Sequence, residues 1–364
     1  MEKKLNVAIA CGGTGGHIFP GLATGRELLE RGHEVTLWLA GKDIEGDAVK
    51  AWPGRVITIP SEGFQFGVSL RSVGTLFRLF KAYRLALKPM REDPPDVLLA
   101  MGSYASFGPV SAARKLGIPY VLHEANLLPG RAVSLLARKA AVVAVSFEKS
   151  RFYLKHGNLE TTGMPLRQEL QFASLKVDRA CCATPPLRIL VMGGSRGAQV
   201  LNEVVPRAIA QAAKQGVSIA VEHIAGLQDC EAVEKIYAEA GVSARVHHFI
   251  QHMEEIYREV DFAVCRSGAA TCAELAAFGL PALLVPYPFA VRNHQMGNAR
   301  ALQDSGAADV VAQEDLTDSW LSDYLVSVAE KPERLLHMVV AMKNRAQTHA
   351  VVRLADLLER VGGA

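Results

Sequence analysis

The apolar positions of the chain fall into short runs that end at glycines. Residues 5–10, LNVAIA, form one such run and predict a buried strand. The stretch GLATGRELLERGHEV then predicts a helix that ends at Gly32, followed by a second strand in EVTLWLA. This order of strand, loop, helix and strand is the repeating unit of a parallel sheet.

The same pattern restarts near the middle of the chain. At Leu187, LRILVMGGSRGAQVLNEVVPRAIAQA again predicts an apolar strand, a Gly-Gly-hydroxyl loop and a long helix. Further predicted strands are DVLLAMG, YVLHE and AAVVAVS in the first half and VSIAVEHIAG, ARVHHFI, DFAVCRSGAA and LPALLVPYP in the second. We therefore predict an α/β fold with two doubly wound parallel-sheet domains, whose ligands bind at the carboxyl ends of the strands.

Length and composition agree with this prediction. A chain of 364 residues is too long for one ordinary core, and 49% hydrophobic with 21% charged residues indicates a well-buried globular protein. The six cysteines include no CxxC pair, which favours reduced thiols. No apolar stretch is long enough to span a bilayer, so we expect a soluble or peripheral protein.

The charge is distributed unevenly along the chain. Residues 1–163 carry 21 Lys and Arg against 14 Asp and Glu, a net charge of +7, whereas residues 164–364 carry 19 against 23, a net charge of −4. This asymmetry indicates that the first half faces an anionic partner.

Three glycine-containing loops precede predicted helices and could bind anions through helix N-termini: Gly12–Gly16, Gly193–Gly197 and Cys265–Leu275. The first lacks the spacing of a dinucleotide fingerprint, and the chain contains no P-loop motif, so nicotinamide enzymes and P-loop NTPases are disfavoured. In the third, Ser267-Gly268 opens a helix that carries Glu274, whose carboxylate could accept hydrogen bonds from both hydroxyls of a ribose. A purely structural turn remains the alternative for each loop.

Six motifs together resemble one family. They are GGTGGH, HEANLLPG, TGMPLR, VMGGSRGAQVLN, CRSGAATCAELAAFGLPALLVPYP and HQMGNA, and in this order they resemble the MurG family of bacterial peptidoglycan glycosyltransferases over nearly the whole chain. The resemblance implies a GT-B fold, in which two Rossmann-like domains face each other across a cleft. It also implies inverting transfer of N-acetylglucosamine from UDP-GlcNAc to the 4-hydroxyl of MurNAc in undecaprenyl-pyrophosphoryl-MurNAc-pentapeptide, which converts lipid I to lipid II.

The resemblance assigns roles to individual residues. It places His17 beside the sugar diphosphate, and because imidazole titrates near neutrality, His17 suits the role of general base. Glu124 is the alternative base, and a histidine that only hydrogen-bonds the backbone is the alternative for His17. The implied substrate contacts are Thr14, Gly15 and Gly16 at the sugar diphosphate; Asn126 at the sugar; Arg167 and Ser195 on the diphosphate side; Ile250 at uracil; Ala269, Ala270, Thr271, Cys272, Ala273 and Glu274 at phosphate and ribose; and Gln295 at the sugar hydroxyls. The spacing of PYPFAVRN before His294 departs from the family pattern and puts the contacts of that loop in doubt.

The expected domains are residues 1–163 for the acceptor and membrane and 164–344 for UDP-GlcNAc. Residues of about 168–186 are expected to form an irregular linker, and a terminal helix of about 345–364 is expected to pack back on the first domain. The expected partners are UDP-GlcNAc, lipid I and other cell-wall enzymes, without nucleic acid, at the cytoplasmic face of the membrane. No Asp-x-Asp motif occurs, so neither a metal nor another cofactor is expected.

A basic, amphipathic segment predicts the contact with an anionic membrane. Within residues 70–91, helical spacing places Leu76, Leu79, Phe80, Tyr83, Leu87 and Met90 on one side, and Arg71, Arg78, Lys81, Arg84, Lys88 and Arg91 on the other. Phe77 and Leu85 fall among the basic residues, which favours insertion into headgroups over a solvated surface. Two other functions remain open: a UDP-sugar epimerase of the same architecture and a non-catalytic module that binds nucleotide or lipid.

Overall fold

The computed structural model describes residues 3–61, 70–179, 185–194, 198–226 and 229–363, with residues 43, 44, 47 and 70–76 described by their backbone alone. The chain divides into two compact units. The N-terminal unit comprises Met1–Arg167 with Thr348–Ala364, and the C-terminal unit comprises Gln168–Gln347.

The sheet of the N-terminal unit has seven strands within the described residues, and all of its pairs are parallel. The strand order is β3-β2-β1-β4-β5-β6-β7. The strands are β1 Asn6–Ala10, β2 Glu34–Leu39, β3 Arg55–Thr58, β4 Val97–Ala100, β5 Tyr120–Glu124, β6 Val142–Val145 and β7 Leu159–Thr161.

Helices cover both faces of this sheet because its strands alternate apolar side chains between two cores. The helices are α1 Gly15–Glu30, α2 Asp43–Ala48, α3 Leu70–Glu92, α4 Phe107–Leu116 and α5 Arg131–Leu136. Ala8 and Ala10 of β1 pack in the core that α3 and α4 cover. Val7 and Ile9 pack on the opposite face, with α1.

The C-terminal unit repeats this architecture with a parallel sheet that has six strands in the described ranges, in the order β10-β9-β8-β11-β12-β13. Its strands are β8 Leu187–Met192, β9 Ile219–Ile224, β10 Ser243–His247, β11 Phe262–Cys265, β12 Ala282–Leu284 and β13 Ala308–Val310. Its helices are α6 Gln168–Ser174, α7 Gln199–Lys214, α8 Cys230–Glu239, α9 Met253–Glu259, α10 Ala269–Phe278, α11 His294–Gln303, α12 Asp318–Glu330 and α13 Pro332–Lys343. The predicted fold class of two doubly wound parallel sheets is confirmed.

The terminal helix α14, Ala350–Gly362, packs on the N-terminal unit. Its apolar face, which includes Leu354 and Leu358, joins the core beneath β1 and α1. At the rim of this contact, the Arg31 guanidinium donates to Asp356 (2.6 Å) and Glu359 (2.9 Å). The last helix is therefore an integral part of the unit formed by the start of the chain.

Helix α1 begins earlier than the sequence indicates. The predicted helix starts at Gly21, but the structure starts it at Gly15, inside the expected loop. The Thr14 carbonyl accepts hydrogen bonds from the N–H groups of His17 (2.9 Å) and Ile18 (3.0 Å), which closes the first turn. His17 consequently lies in a helical turn rather than in a flexible loop.

The expected linker is only partly irregular where it is described. Residues Gln168–Ser174 form α6, and Leu170 is buried in the core of the C-terminal unit. The Arg179 guanidinium then donates to the backbone carbonyls of Tyr257, Val260 and Phe278, which ties this stretch down. Cys181 and Cys182 lie outside the described residues.

The buried stripe of α3 is rotated from its predicted position. Among the described side chains of α3, the buried ones are Ala82, Ala86 and Met90, whereas Phe80, expected in the core, is 55% exposed. The small side chains of Ala82 and Ala86 let α3 pack closely against α4, which moves the larger residues to the edge. The side chains of Arg71 and Leu76 lie outside the described part of the chain. No helix that the structure describes has both the length and the apolar character needed to cross a membrane.

We predict that Leu354→Ala destabilises the N-terminal unit by about 2–5 kcal/mol, because it leaves a cavity in a closed core. Hydrogen exchange measured by mass spectrometry should speed up in peptides that contain β1 and β4 and stay unchanged in peptides that contain β8. Val352→Ala, an exposed position of the same helix, is the matched control. Faster exchange confined to the C-terminal unit would contradict the assignment of α14.

Candidate functional site

In the N-terminal unit, the loop after β1 delivers Thr14 and His17 to the carboxyl end of the sheet. Thr14 is the N-cap of α1, so Gly15 and Gly16 occupy its first turn. The N–H groups of a first turn have no partner inside the helix and lie at its positive end. This arrangement suits the expected contact of Thr14, Gly15 and Gly16 with a diphosphate.

A hydrogen bond orients the imidazole of His17. Thr14 Oγ1 and His17 Nδ1 lie 2.8 Å apart, and the ring is half-buried. Two residues further along α1, the ring of Phe19 lies 5.3 Å from the guanidinium carbon of Arg167. The Arg167 side chain therefore packs against α1, the helix that carries His17.

Glu124 at the end of β5 organises the loop that follows it. Its Oε1 accepts from the N–H (2.9 Å) and side-chain amide (3.2 Å) of Asn126, and its Oε2 accepts from the N–H of Gly130 (2.8 Å). Burial raises the pKa of Glu124 above its ordinary value, and the hydrogen bonds from this loop offset part of that rise. Because both carboxylate oxygens already bind the loop, we interpret Glu124 as the residue that positions Asn126.

The neighbouring His123 serves a separate contact. Its Nε2 donates to the carbonyl of Gly163 (2.9 Å), and complete burial lowers the pKa of the imidazole to about 4. The ring therefore stays neutral at physiological pH and links the end of β5 to the segment after β7. Both His123 and Glu124 lie at the carboxyl end of β5, within the predicted strand YVLHE.

In the C-terminal unit, α10 follows β11 directly and carries most of the expected donor contacts. Gly268 is its N-cap, and residues 269–274 form its first turns. Tyr257 of α9 is fully buried, and its hydroxyl donates to Oε2 of Glu274 (2.7 Å). The Glu274 carboxylate is thus held in one direction on a helix that opens with small residues.

A second set of hydrogen bonds joins α11 to the start of α10. The Ser267 hydroxyl donates to the carbonyl of Gln295 (2.8 Å), and the Asn298 amide donates to the carbonyl of Ser267 (3.1 Å). Oε1 of Gln295 accepts from the N–H of Tyr287 (2.9 Å), which fixes the direction of its amide group. Gln295 and the α10 N-terminus are therefore positioned as one assembly.

Arg266 adds a positive charge immediately before this helix. The residue is buried, and its guanidinium donates to the carbonyls of Val285 (3.0 Å) and Pro286 (3.3 Å) and to Oε1 of Gln313 (2.6 Å). Burial lowers the pKa of Arg266, but arginine keeps its proton. Its charge and the helix dipole both favour an anion at the start of α10.

Of three further expected donor contacts, Cys272, Ile250 and Ser195, the structure describes the first two. The Cys272 thiol is buried, which raises its pKa to about 12, and its N–H bonds the Gly268 carbonyl (2.9 Å) inside the helix. Cys272 therefore packs α10 onto the core. Ile250 is half-buried in the segment after β10, at the same edge of the sheet. Ser195 lies outside the described residues.

Sequence reasoning missed the residues that hold the site in place. Tyr257 lies 17 positions before Glu274 on another helix, and no local pattern links the two. Asn298 is visible only as part of the HQMGNA motif, and Arg266 only as the residue before Ser267-Gly268. Within the described ranges, no group of three His, Cys, Asp or Glu residues has an arrangement that could hold a metal ion.

Comparisons with known proteins match both halves of the chain. The model of the glycosyltransferase family 28 N-terminal domain matches residues 7–145, and that of the family 28 C-terminal domain matches residues 188–358. The chain is similar to UDP-N-acetylglucosamine--N-acetylmuramyl-(pentapeptide) pyrophosphoryl-undecaprenol N-acetylglucosamine transferases. The protein from Shewanella denitrificans is 39% identical (96% of this chain, 95% of that protein), and the one from Bordetella petrii is 40% identical (97% of each).

Among solved structures, the crystal structure of Acinetobacter baumannii MurG matches with a TM-score of 0.81 and 30% identity, covering 98% of this chain and 100% of that chain. This match confirms the predicted GT-B fold of two parallel-sheet domains. The family models cover both halves of the chain, and the relatives cover nearly its full length. The chain therefore belongs to glycosyltransferase family 28, among the MurG-type N-acetylglucosamine transferases.

Proposed function

We propose that the chain transfers N-acetylglucosamine from UDP-GlcNAc to the 4-hydroxyl of MurNAc in undecaprenyl-pyrophosphoryl-MurNAc-pentapeptide, with inversion at the anomeric carbon. The proposal rests on the sequence identity of about 40% between this chain and relatives named for this transfer, over nearly their full length. The two sets of positioned polar groups, one in each unit, are what such a reaction requires.

The C-terminal unit supplies the donor contacts. The Glu274 carboxylate, held by Tyr257, accepts hydrogen bonds from the ribose hydroxyls. The first-turn N–H groups of α10 and the charge of Arg266 stabilise the diphosphate. The amide group of Gln295 binds a sugar hydroxyl, and the backbone of Ile250 pairs with uracil.

The N-terminal unit supplies the base. The acceptor hydroxyl attacks the anomeric carbon in line while UDP leaves from the opposite face, so one displacement converts the α linkage to β. His17 takes the hydroxyl proton, and Thr14 keeps its ring in position. Asn126, placed by Glu124, contacts the sugar.

Incubation with radiolabelled UDP-GlcNAc and synthetic lipid I tests the proposal. We expect the label to move to the lipid only when lipid I is present. Epimerised UDP-sugar formed without the acceptor, or tight UDP binding without any turnover, would contradict the proposed transfer.

An exposed surface of α3 supports contact with an anionic membrane. Phe77, Phe80 and Leu85 are 68%, 55% and 42% exposed, and Lys81, Arg84, Lys88 and Arg91 are exposed around them. The cationic character continues onto α4 at Arg114 and Lys115. Together with Lys139, these side chains line a cavity of about 570 Å³ beside Tyr83. Apolar tips within a cationic surface suit insertion between anionic headgroups.

We predict that Glu274→Ala weakens binding of UDP-GlcNAc by about 10-fold or more, because it removes charge-assisted hydrogen bonds to the ribose. Isothermal titration calorimetry measures the affinity. Glu255→Ala, at an exposed position of the neighbouring α9, is the matched control and should bind normally. Unchanged affinity in Glu274→Ala would remove this carboxylate from the donor site.

We predict that His17→Ala lowers kcat by about 10²–10⁴-fold, the typical contribution of a general base, while donor affinity is kept. Steady-state kinetics with lipid I and calorimetry with UDP-GlcNAc separate these two effects. Near-normal turnover in a folded His17→Ala protein would show that the imidazole has only a structural role.

We predict that Phe77→Ser combined with Leu85→Ser lowers co-sedimentation with vesicles that contain phosphatidylglycerol. Binding by the unmodified protein should rise with anionic lipid and fall with salt, because each Lys or Arg near the surface contributes about 1 kcal/mol. Phe172→Ser, an exposed aromatic position in the C-terminal unit, is the control. Binding that ignores both salt and the double substitution would contradict a membrane contact through α3.

A further inference from the structure

A buried carboxylate binds the glycine loop, residues 11–14 between β1 and α1. Glu45 of α2 is only 2% exposed, and its Oε1 accepts from the N–H of Gly13 (2.6 Å). Its Oε2 accepts from the N–H groups of Gly41 (2.7 Å) and Lys42 (3.1 Å). One side chain therefore ties the loop after β1 to the loop after β2.

The first glycines of the loop make room for this carboxylate. A Cβ atom at Gly12 would lie 2.4 Å from the backbone nitrogen of Ala40 and 2.9 Å from Oε1 of Glu45. Gly13 has a φ of +125°, a backbone conformation that residues other than glycine rarely adopt. Gly12 therefore leaves space for the Glu45 carboxylate, and Gly13 donates its N–H to that carboxylate.

A hydroxyl holds the same loop from the other side. Ser103 Oγ donates to the carbonyl of Gly12 (2.5 Å) and accepts from the N–H of Ala105 (3.1 Å). Glu45 and Ser103 therefore fix two adjacent residues of the loop, Gly12 and Gly13, through independent hydrogen bonds. The next residue is Thr14, which caps α1 and contacts the ring of His17.

We propose that Glu45 is a positioning residue for turnover: by fixing Gly13, it sets the place of Thr14 and hence the direction of the His17 imidazole. The inference rests on the proposed role of His17 as the base. Glu45 reaches the reaction only through backbone hydrogen bonds, so it acts on the geometry of the loop. Displacement of a catalytic group by about 1 Å can cost two orders of magnitude in rate.

Glu45→Gln tests this proposal with little change in volume. The amide offers one acceptor oxygen in place of two, so either Gly13 or the pair of Gly41 and Lys42 loses its hydrogen bond and faces an NH₂ group instead. We expect kcat to fall by about 10-fold to 100-fold, with the KM for UDP-GlcNAc within about 2-fold of its original value. Hydrogen exchange in a peptide that covers residues 12–17 should become faster.

Two controls keep the result specific. Glu30→Gln makes the same chemical change at an exposed position of α1 and should alter neither kcat nor loop exchange. Ser103→Ala removes the opposite anchor and should reproduce the selective loss of kcat, which tests the loop mechanism even if Glu45→Gln folds poorly. Unchanged loop exchange or unchanged kcat in folded Glu45→Gln would overturn the proposal.

A double variant separates this proposal from the assignment of the base. If Glu45 acts through His17, adding Glu45→Gln to His17→Ala should change the residual kcat by less than about 2-fold, because residues that act as a unit are non-additive. An equal fold-loss in both backgrounds would overturn the link to His17. Normal turnover of His17→Ala alone would overturn the assignment of His17 as the base and, with it, the link from Glu45 to turnover. Faster exchange of residues 12–17 in Glu45→Gln would then show that Glu45 fixes the loop without acting on catalysis.

Discussion

The burial of two parallel sheets on both faces is the constraint on which the rest of the structure depends. In each unit, apolar side chains alternate between two helix-covered cores, so neither face of the sheet is free for a ligand. The carboxyl ends of the strands are then the place where backbone and polar groups can meet a ligand. The loop after β1, the end of β5 and the start of α10 after β11 all lie at such an edge.

Polar groups at these edges are rigid because other buried groups hold them. Glu124 is held by the N–H groups of its own loop, Glu274 by Tyr257, and the glycine loop by Glu45. Each carboxylate exchanges hydration for charge-assisted hydrogen bonds of fixed direction, which compensates for burial. Glycosyl transfer depends on such preorganised groups, because water reorganisation at the reacting centre would raise the barrier.

The central strands were predictable, whereas three of the four edge strands in the described sheets were not. The runs that became β1, β5 and β8 are mainly apolar, as is typical of strands covered on both faces. In contrast, β3, β7 and β13 have three or four residues and partly exposed positions, so no pattern marks them. The start of α1 was missed because glycines and Pro20 resemble a loop, although the Thr14 carbonyl closes a helical turn there.

The sequence by itself determined the fold class, the family and the residue types at each loop, because hydrophobic spacing and ordered motifs are local properties of the chain. It also identified His17 and Glu274 as candidates, since each lies at or close behind a glycine-containing helix start. Only the tertiary structure decided that Glu124 binds its own loop, that Tyr257 holds Glu274 and that Glu45 occupies the Gly13 N–H. These partners lie on separate segments or compete for the same few donors, and such contacts exist only once the sheets have brought the segments together.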